Sequence, residues 1–165
     1  MAVQRPTPGD PAPDFAGAVT DGSRVALKDF RGRRLVLYFY PMDDTPGCTA
    51  QACSLRDHHA EILAKGAAIL GVSGQDLASH RRFTACTPFA DTDRAVARAY
   101  GTIGRGIGGA LRGLLGLAER VTFIIDENGR IAHVIDSPNS ANHAAEVLQL
   151  LSYRPRSSRD PRGPH

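Results

Sequence analysis

Residues 40–53 read YPMDDTPGCTAQAC and place two of the chain's three cysteines, Cys48 and Cys53, five positions apart behind an apolar run. A thiol attacks as its thiolate, and Cys48 is placed to become one. It follows Thr45-Pro46-Gly47 and opens a segment with helical spacing, so its sulfur is expected near the unpaired amides of a first helical turn. Such a site lowers a thiol pKa from about 8.5 to about 6 and raises the thiolate fraction at neutral pH about thirty-fold. Enzymes commonly deliver accelerations of about a million-fold or more, so ionisation alone is not a mechanism. Other groups must orient an electrophile and stabilise charge on its leaving group. Thr45 can present a hydroxyl to the same pocket, and Pro41 can wall it without a competing N–H.

Cys53 stands five residues beyond Cys48, about 7.5 Å of rise and about 140° of rotation away in an intact helix. That exceeds the roughly 4.4–6.8 Å Cα separation of a disulfide once rotation is included, so a bond between the two requires the helix to unwind. Other chemistries fit this spacing less well. Cys48 and Cys53 with His58 and His59 fall at the edge of zinc-ligand spacing, but on one helix these four spread around its circumference. A thioredoxin-type oxidoreductase normally uses C-x-x-C, which is missing. Cys86 is read as a buried or incidental thiol, with the alternative of a second partner for Cys48.

The elements that must hold these residues follow from periodicity. LVLYFY (35–40) reads as a buried central strand. Residues 49–65 carry Ala52, Leu55, His59, Ile62 and Leu63 at helical spacing and end at Gly66. AAILGV (67–72) is the next strand, a helix is expected over 76–83, and Asp91 or Thr92 caps another through Tyr100 to Gly101. VTFIID (121–126) and RIAHVI (130–135) flank the turn ENG, and a last helix covers 141–152 with Ala144, Val147, Leu148 and Leu151 inward. Ahead of all this, short hairpin pieces around Val19 and Val25 flank Asp21-Gly22. This order predicts an α/β, thioredoxin-like fold, a mixed central sheet with helices on both faces. No internal repeat is found, and residues 1–153 are expected to form one domain.

With 165 residues the chain can bury a core without staples. Three cysteines argue against a secreted disulfide framework and for a reducing, cytoplasmic setting. The start lacks a secretory h-region, and the longest apolar stretch, IGGALRGLLGLA, is short for a span and broken by Arg112, so no membrane association is expected. The net charge of +3 resides in the tail, where Arg154, Arg156, Arg159 and Arg162 oppose only Asp160. Residues 154–165 are therefore expected to be a disordered basic tail on a nearly neutral body, and nucleic acid is not an expected partner. The glycine-rich stretch 103–117 carries Ile103, Ile107, Leu111, Leu114, Leu115 and Leu117, read as packing on the body, with a holdase-like role as the alternative.

PMDDTPGC fits the P-x-x-x-T-x-x-C pattern of peroxiredoxins, and PGCTAQACSLRD resembles the subgroup called PrxQ or bacterioferritin comigratory protein. The likeness runs through GVSGQDLASHRRF, DRAVARAYG and ERVTFIIDENGRI, over roughly residues 8–152. The resemblance implies Cys48 as peroxidatic nucleophile, Pro41 and Thr45 as its pocket, Arg120 as the cation beside the sulfur, and Cys53 as the resolving thiol. It further implies hydrogen peroxide and alkyl hydroperoxides as substrates, thioredoxin or a similar dithiol as reductant, no metal or cofactor, and, with an internal resolving thiol, a monomer. The stretch TACTPFA before Asp91 departs from the family by being shorter, which leaves the strand expected there open.

Overall fold

The run Leu35–Phe39 is apolar on both of its faces, and the chain buries all five residues in the middle of a five-stranded sheet. The structure, a computed structural model, describes residues 4–19, 21–40, 54–55, 57–73, 88–91, 94–103, 119–136 and 142–152. Pro41, Thr45, Cys48, Cys53, Cys86, the helix expected over 76–83, the 103–117 stretch beyond Ile103 and the tail lie outside the described residues.

The strands are β1 (Ala16–Ala18), β2 (Arg24–Ala26), β3 (Arg34–Phe39), β4 (Ala67–Ser73), β5 (Pro88–Ala90), β6 (Val121–Ile125) and β7 (Ile131–Asp136). The helices are α1 (His59–Ala64), α2 (Ala95–Ala99) and α3 (His143–Ser152), with a 3-10 turn at Leu27–Phe30. Strands β1 and β2 form a separate antiparallel ribbon around the expected turn, where Gly22 takes φ +85°. The main sheet has the order β5-β4-β3-β6-β7, with β3, β4 and β5 parallel, β6 antiparallel to β3 and β7 antiparallel to β6. This is the mixed, thioredoxin-like α/β plan.

Alternation along the strands divides the core in two. Leu35, Leu37 and Phe39 join Val121, Phe123 and Ile125 on the face covered by Phe15, Leu27, Val96 and Tyr100. Val36, Tyr38, Tyr40 and Ile124 face Leu55 and Ile62 on one side and Ala144, Val147 and Leu151 of α3 on the other. Helices thus cover both faces, as expected.

Two elements were not legible beforehand. Strand β5 pairs Pro88, Phe89 and Ala90 with the end of β4 at the sheet edge. Three residues show no usable period, and proline is tolerated there because the strand lies at an edge. The 3-10 turn has no apolar repeat either. Of the segment read as one helix over 49–65, Ser54, Leu55, Asp57 and α1 are helical, with a turn at His58 and Gly66 following at φ +76°, while residues 49–53 and Arg56 lie outside the described residues.

Candidate active site

The parallel strands β3 and β4 end where antiparallel β6 begins. Phe39 is the pivot, paired with Val72 on one side and Val121 on the other. Tyr40 continues this edge, its amide donating to the Val72 carbonyl at 3.2 Å. The next residue in the sequence is Pro41, and Thr45 and Cys48 follow it, outside the described residues. Arg120 immediately precedes Val121 and is half-buried. Of the five expected site residues, Arg120 is the one within the described residues, and it stands at the head of β6, beside the end of β3.

The strand's alternation assigns Arg120 to a face. Val121 and Phe123 belong to the face covered by α2, so Arg120 and Thr122 belong to the other, beneath α3. On that face the Thr122 Oγ1 lies 2.7 Å from His143 Nε2, and both residues are fully buried. Burial, and secondarily the positive charge of Arg120, push the His143 pKa down to about 4. A buried imidazole beside a cation is neutral at neutral pH, keeping one ring N–H and taking up no second proton, because a second positive charge there would be both desolvated and repelled.

Aromatic rings close the space around this pair. Tyr38 presents an edge-to-face contact to His143 at 6.1 Å between ring centroids and stacks on Tyr40 at 5.6 Å. Space for the Tyr38 ring comes from the neighbouring strand. A Cβ at Gly71 would lie 2.5 Å from the Cζ and Oη of Tyr38, so only glycine fits there unmoved. The Ser73 hydroxyl is also buried at this edge, with no hydrogen-bond partner among the described residues.

The head of β6 is fixed from its other face. The Glu119 amide donates to the Thr102 carbonyl at 2.7 Å, and its carboxylate accepts from Arg5 at 2.6 Å. Arg5 also donates to Asp136 at 2.8 Å, the residue paired across the sheet with Val121. A leader residue therefore clamps both strands next to Arg120. Farther along, the buried Asp91 carboxylate accepts from the Val96 and Ala97 amides at 3.1 and 2.8 Å and so serves the first turn of α2 from three residues before Arg94 at its N-cap position, whereas Thr92 lies outside the described residues.

Behind Cys53 the chain is anchored to α3. The Ala144 amide donates to Ser54 Oγ at 3.1 Å, and the His58 Nδ1 donates to the Ser54 carbonyl at 3.0 Å. His143, Thr122, Tyr38 and Ser54 were not singled out from sequence. His143 carried a signal, since it lies four residues before Val147 and so on the apolar face already assigned to that helix. Thr122, a lone polar residue in VTFIID, carried a weaker one.

Residues 8–134 match the model of the AhpC/TSA family. Peroxiredoxin Bcp of Escherichia coli is 38% identical over 150 residues, covering 87% of this chain and 94% of the relative. The crystal structure of peroxidoxin BcpB from Mycobacterium tuberculosis superposes with a TM-score of 0.76 at 29% identity, over 90% of this chain and 97% of that one. The bacterioferritin comigratory protein of Xanthomonas campestris, studied for its alkyl peroxide reduction activity, superposes with a TM-score of 0.74 at 30% identity, over 84% of this chain and 90% of that one.

Proposed function

Because the chain belongs to the AhpC/TSA family, as a thiol peroxidase of the Bcp/PrxQ peroxiredoxins, we propose that Cys48 reduces hydrogen peroxide and alkyl hydroperoxides and that Cys53 resolves the product. The observation that carries the site assignment is Arg120 at the head of β6, beside the end of β3 from which the chain runs into Pro41 and on to Cys48.

The Cys48 thiolate attacks the terminal peroxide oxygen; an S–O bond forms, the O–O bond breaks, and the departing alkoxide or hydroxide takes up a proton to leave as alcohol or water. Sulfur is oxidised to the sulfenic acid and the peroxide is reduced. Charge moves from sulfur to the leaving oxygen, so a cation serves both the starting thiolate and the transition state. Arg120 fills that role, with the Thr45 hydroxyl accepting from the peroxide O–H and Pro41 limiting the pocket. The neutral His143 adds no second positive charge beside Arg120 near neutral pH.

The Cys53 thiol then attacks the Cys48 sulfenic acid, forming the disulfide and releasing water. A dithiol such as thioredoxin returns both cysteines to thiols and is itself oxidised. The electrons pass from thiols to peroxide throughout, so the cycle needs neither metal nor cofactor. Both thiols belong to one chain, so a monomer suffices, and reliance on a dithiol fits a reducing compartment such as the cytoplasm. No helix among the described residues is long and apolar enough to cross a membrane.

The test is peptide mapping after one equivalent of hydrogen peroxide, with thiols blocked at low pH. A Cys48–Cys53 link is expected. A Cys48–Cys86 link would move the resolving role, and an unoxidised Cys48 would overturn the assignment. Cys48→Ser should abolish turnover, whereas Cys53→Ser should allow one round of oxidation and stop dithiol-driven cycling.

A further inference from the structure

Arg120 is half-buried, whereas Thr122, two places on, and its partner His143 are fully buried on the same face of β6. His143 is held from three sides. Its Nε2 lies 2.7 Å from Thr122 Oγ1, and Tyr38 meets its ring edge-to-face at 6.1 Å and 75°. It is also the first residue of α3, whose Ala144, Val147 and Leu151 are buried in the same cluster as Tyr38. Tyr38 is fixed in turn, stacked on Tyr40 and seated over Gly71. The cation at the head of β6 therefore stands beside a rigid, neutral support.

A guanidinium on a flexible stem has many rotamers, and it stabilises developing charge only where its donors already point. The neighbouring ring narrows that choice without cancelling the charge. A carboxylate in its place would pair with Arg120 and a second cation would repel it, whereas a neutral imidazole does neither. The two groups do sense each other: after burial, Arg120 is the second cause that pushes the His143 pKa down to about 4. We propose that His143, hydrogen-bonded to Thr122, is a positioning residue for peroxide reduction, filling the space beneath α3 into which Arg120 would otherwise fold and so keeping the guanidinium at the head of β6. This rests on the reading of Arg120 as the cation that serves the Cys48 thiolate. His143 acts through Arg120 alone and exchanges no proton with the peroxide.

The experiment measures the second-order rate of peroxide attack and, from thiolate absorbance, the Cys48 thiol pKa. It compares His143→Ala, Thr122→Val and His143→Gln, each in the wild-type chain and in Arg120→Ala. His143→Ala empties the space, and Thr122→Val removes the hydrogen bond while keeping the shape of the strand residue, so either serves where the other fails to fold. In the wild-type chain both should slow attack about 3- to 10-fold, less than loss of Arg120 itself, and raise the Cys48 pKa. In Arg120→Ala the same changes should alter the rate less than about 2-fold and leave the pKa in place, because residues acting as one unit are not additive. His143→Gln keeps a neutral hydrogen-bonding group of similar size and should stay within about 2-fold of wild type. Equal slowing in both backgrounds would mean a general loss of structure and would overturn the proposal. So would an unchanged rate in His143→Ala and Thr122→Val, or a His143→Gln as slow as the alanine. An Arg120→Ala chain that keeps the wild-type rate and Cys48 pKa would overturn the reading of Arg120, and the proposal with it.

Discussion

His143 Nε2 and Thr122 Oγ1 meet at 2.7 Å between α3 and β6, with neither residue exposed. The imidazole is neutral there because its pKa is pushed down to about 4, first by burial and then by Arg120. An unfolded histidine titrates near 6.5, so between these values the unfolded chain binds a proton that the folded one refuses. Stability therefore falls as pH drops through about 6.5 toward 4, and this group should remove about 2 kcal/mol by pH 5. Urea midpoints at pH 7 and pH 5 for wild type and His143→Gln check it: the variant should be less stable at pH 7 and lose less on acidification.

Arg120 acts on both sides of this arrangement. Arg120→Ala should raise the Cys48 thiol pKa and slow peroxide attack about 10- to 100-fold, the worth of one hydrogen bond to a charged group. The same change removes one of the two influences holding the His143 pKa down, so its titration should move toward the ordinary histidine range. Thiolate absorbance against pH reads the first effect, and the His143 ring resonances read the second. An unchanged Cys48 pH profile would remove Arg120 from its assigned role.

How much of this could be read beforehand depended on whether the signal was local. β3, β4, β6 and β7 follow from apolar runs and turn residues close in sequence, and the turn ENG closes as expected, with Asp126 Oδ1 accepting the Asn128 and Arg130 amides at 2.9 and 3.0 Å. Arg120 became visible through its place at the start of ERVTFIID together with the family pattern around Cys48. The His143–Thr122 pair did not, because its members are 21 residues apart and meet only once α3 lies on β6. Arg5 was hidden for the same reason. Its partners Glu119 and Asp136 lie 114 and 131 residues away, and its Pro-rich surroundings carry no apolar period.

Gly71 carries a steric prediction. It pairs with Tyr38 across β3 and β4, and the Tyr38 ring occupies the space a side chain would need. Gly71→Ala must displace a fully buried ring that is stacked on Tyr40 and edge-on to His143. Overpacking of this kind costs about 1–3 kcal/mol. Denaturant unfolding should show that loss, and a shift of the His143 ring resonances should accompany it.

Arg5 tests whether the two sides of the β6 head are independent. Its guanidinium is buried and holds Glu119 at 2.6 Å, whose side chain is 24% exposed, and Asp136 at 2.8 Å, whose side chain is 68% exposed. The exposed pair is screened and contributes little, whereas breaking the more buried one leaves a carboxylate short of its partner. Arg5→Met should therefore destabilise the chain by about 2–4 kcal/mol, somewhat below the cost of breaking a fully buried pair. Glu119→Gln in the same background should add little, with a coupling of about 1–3 kcal/mol in the double-mutant cycle. Glu119 and Arg120 project to opposite faces of β6, so Arg5→Met should leave the Cys48 pH profile where Arg120→Ala moves it. A Cys48 pKa that rose equally in both variants would mean that Arg5 acts on the chemistry through the strand, and that the two faces of β6 are not separable.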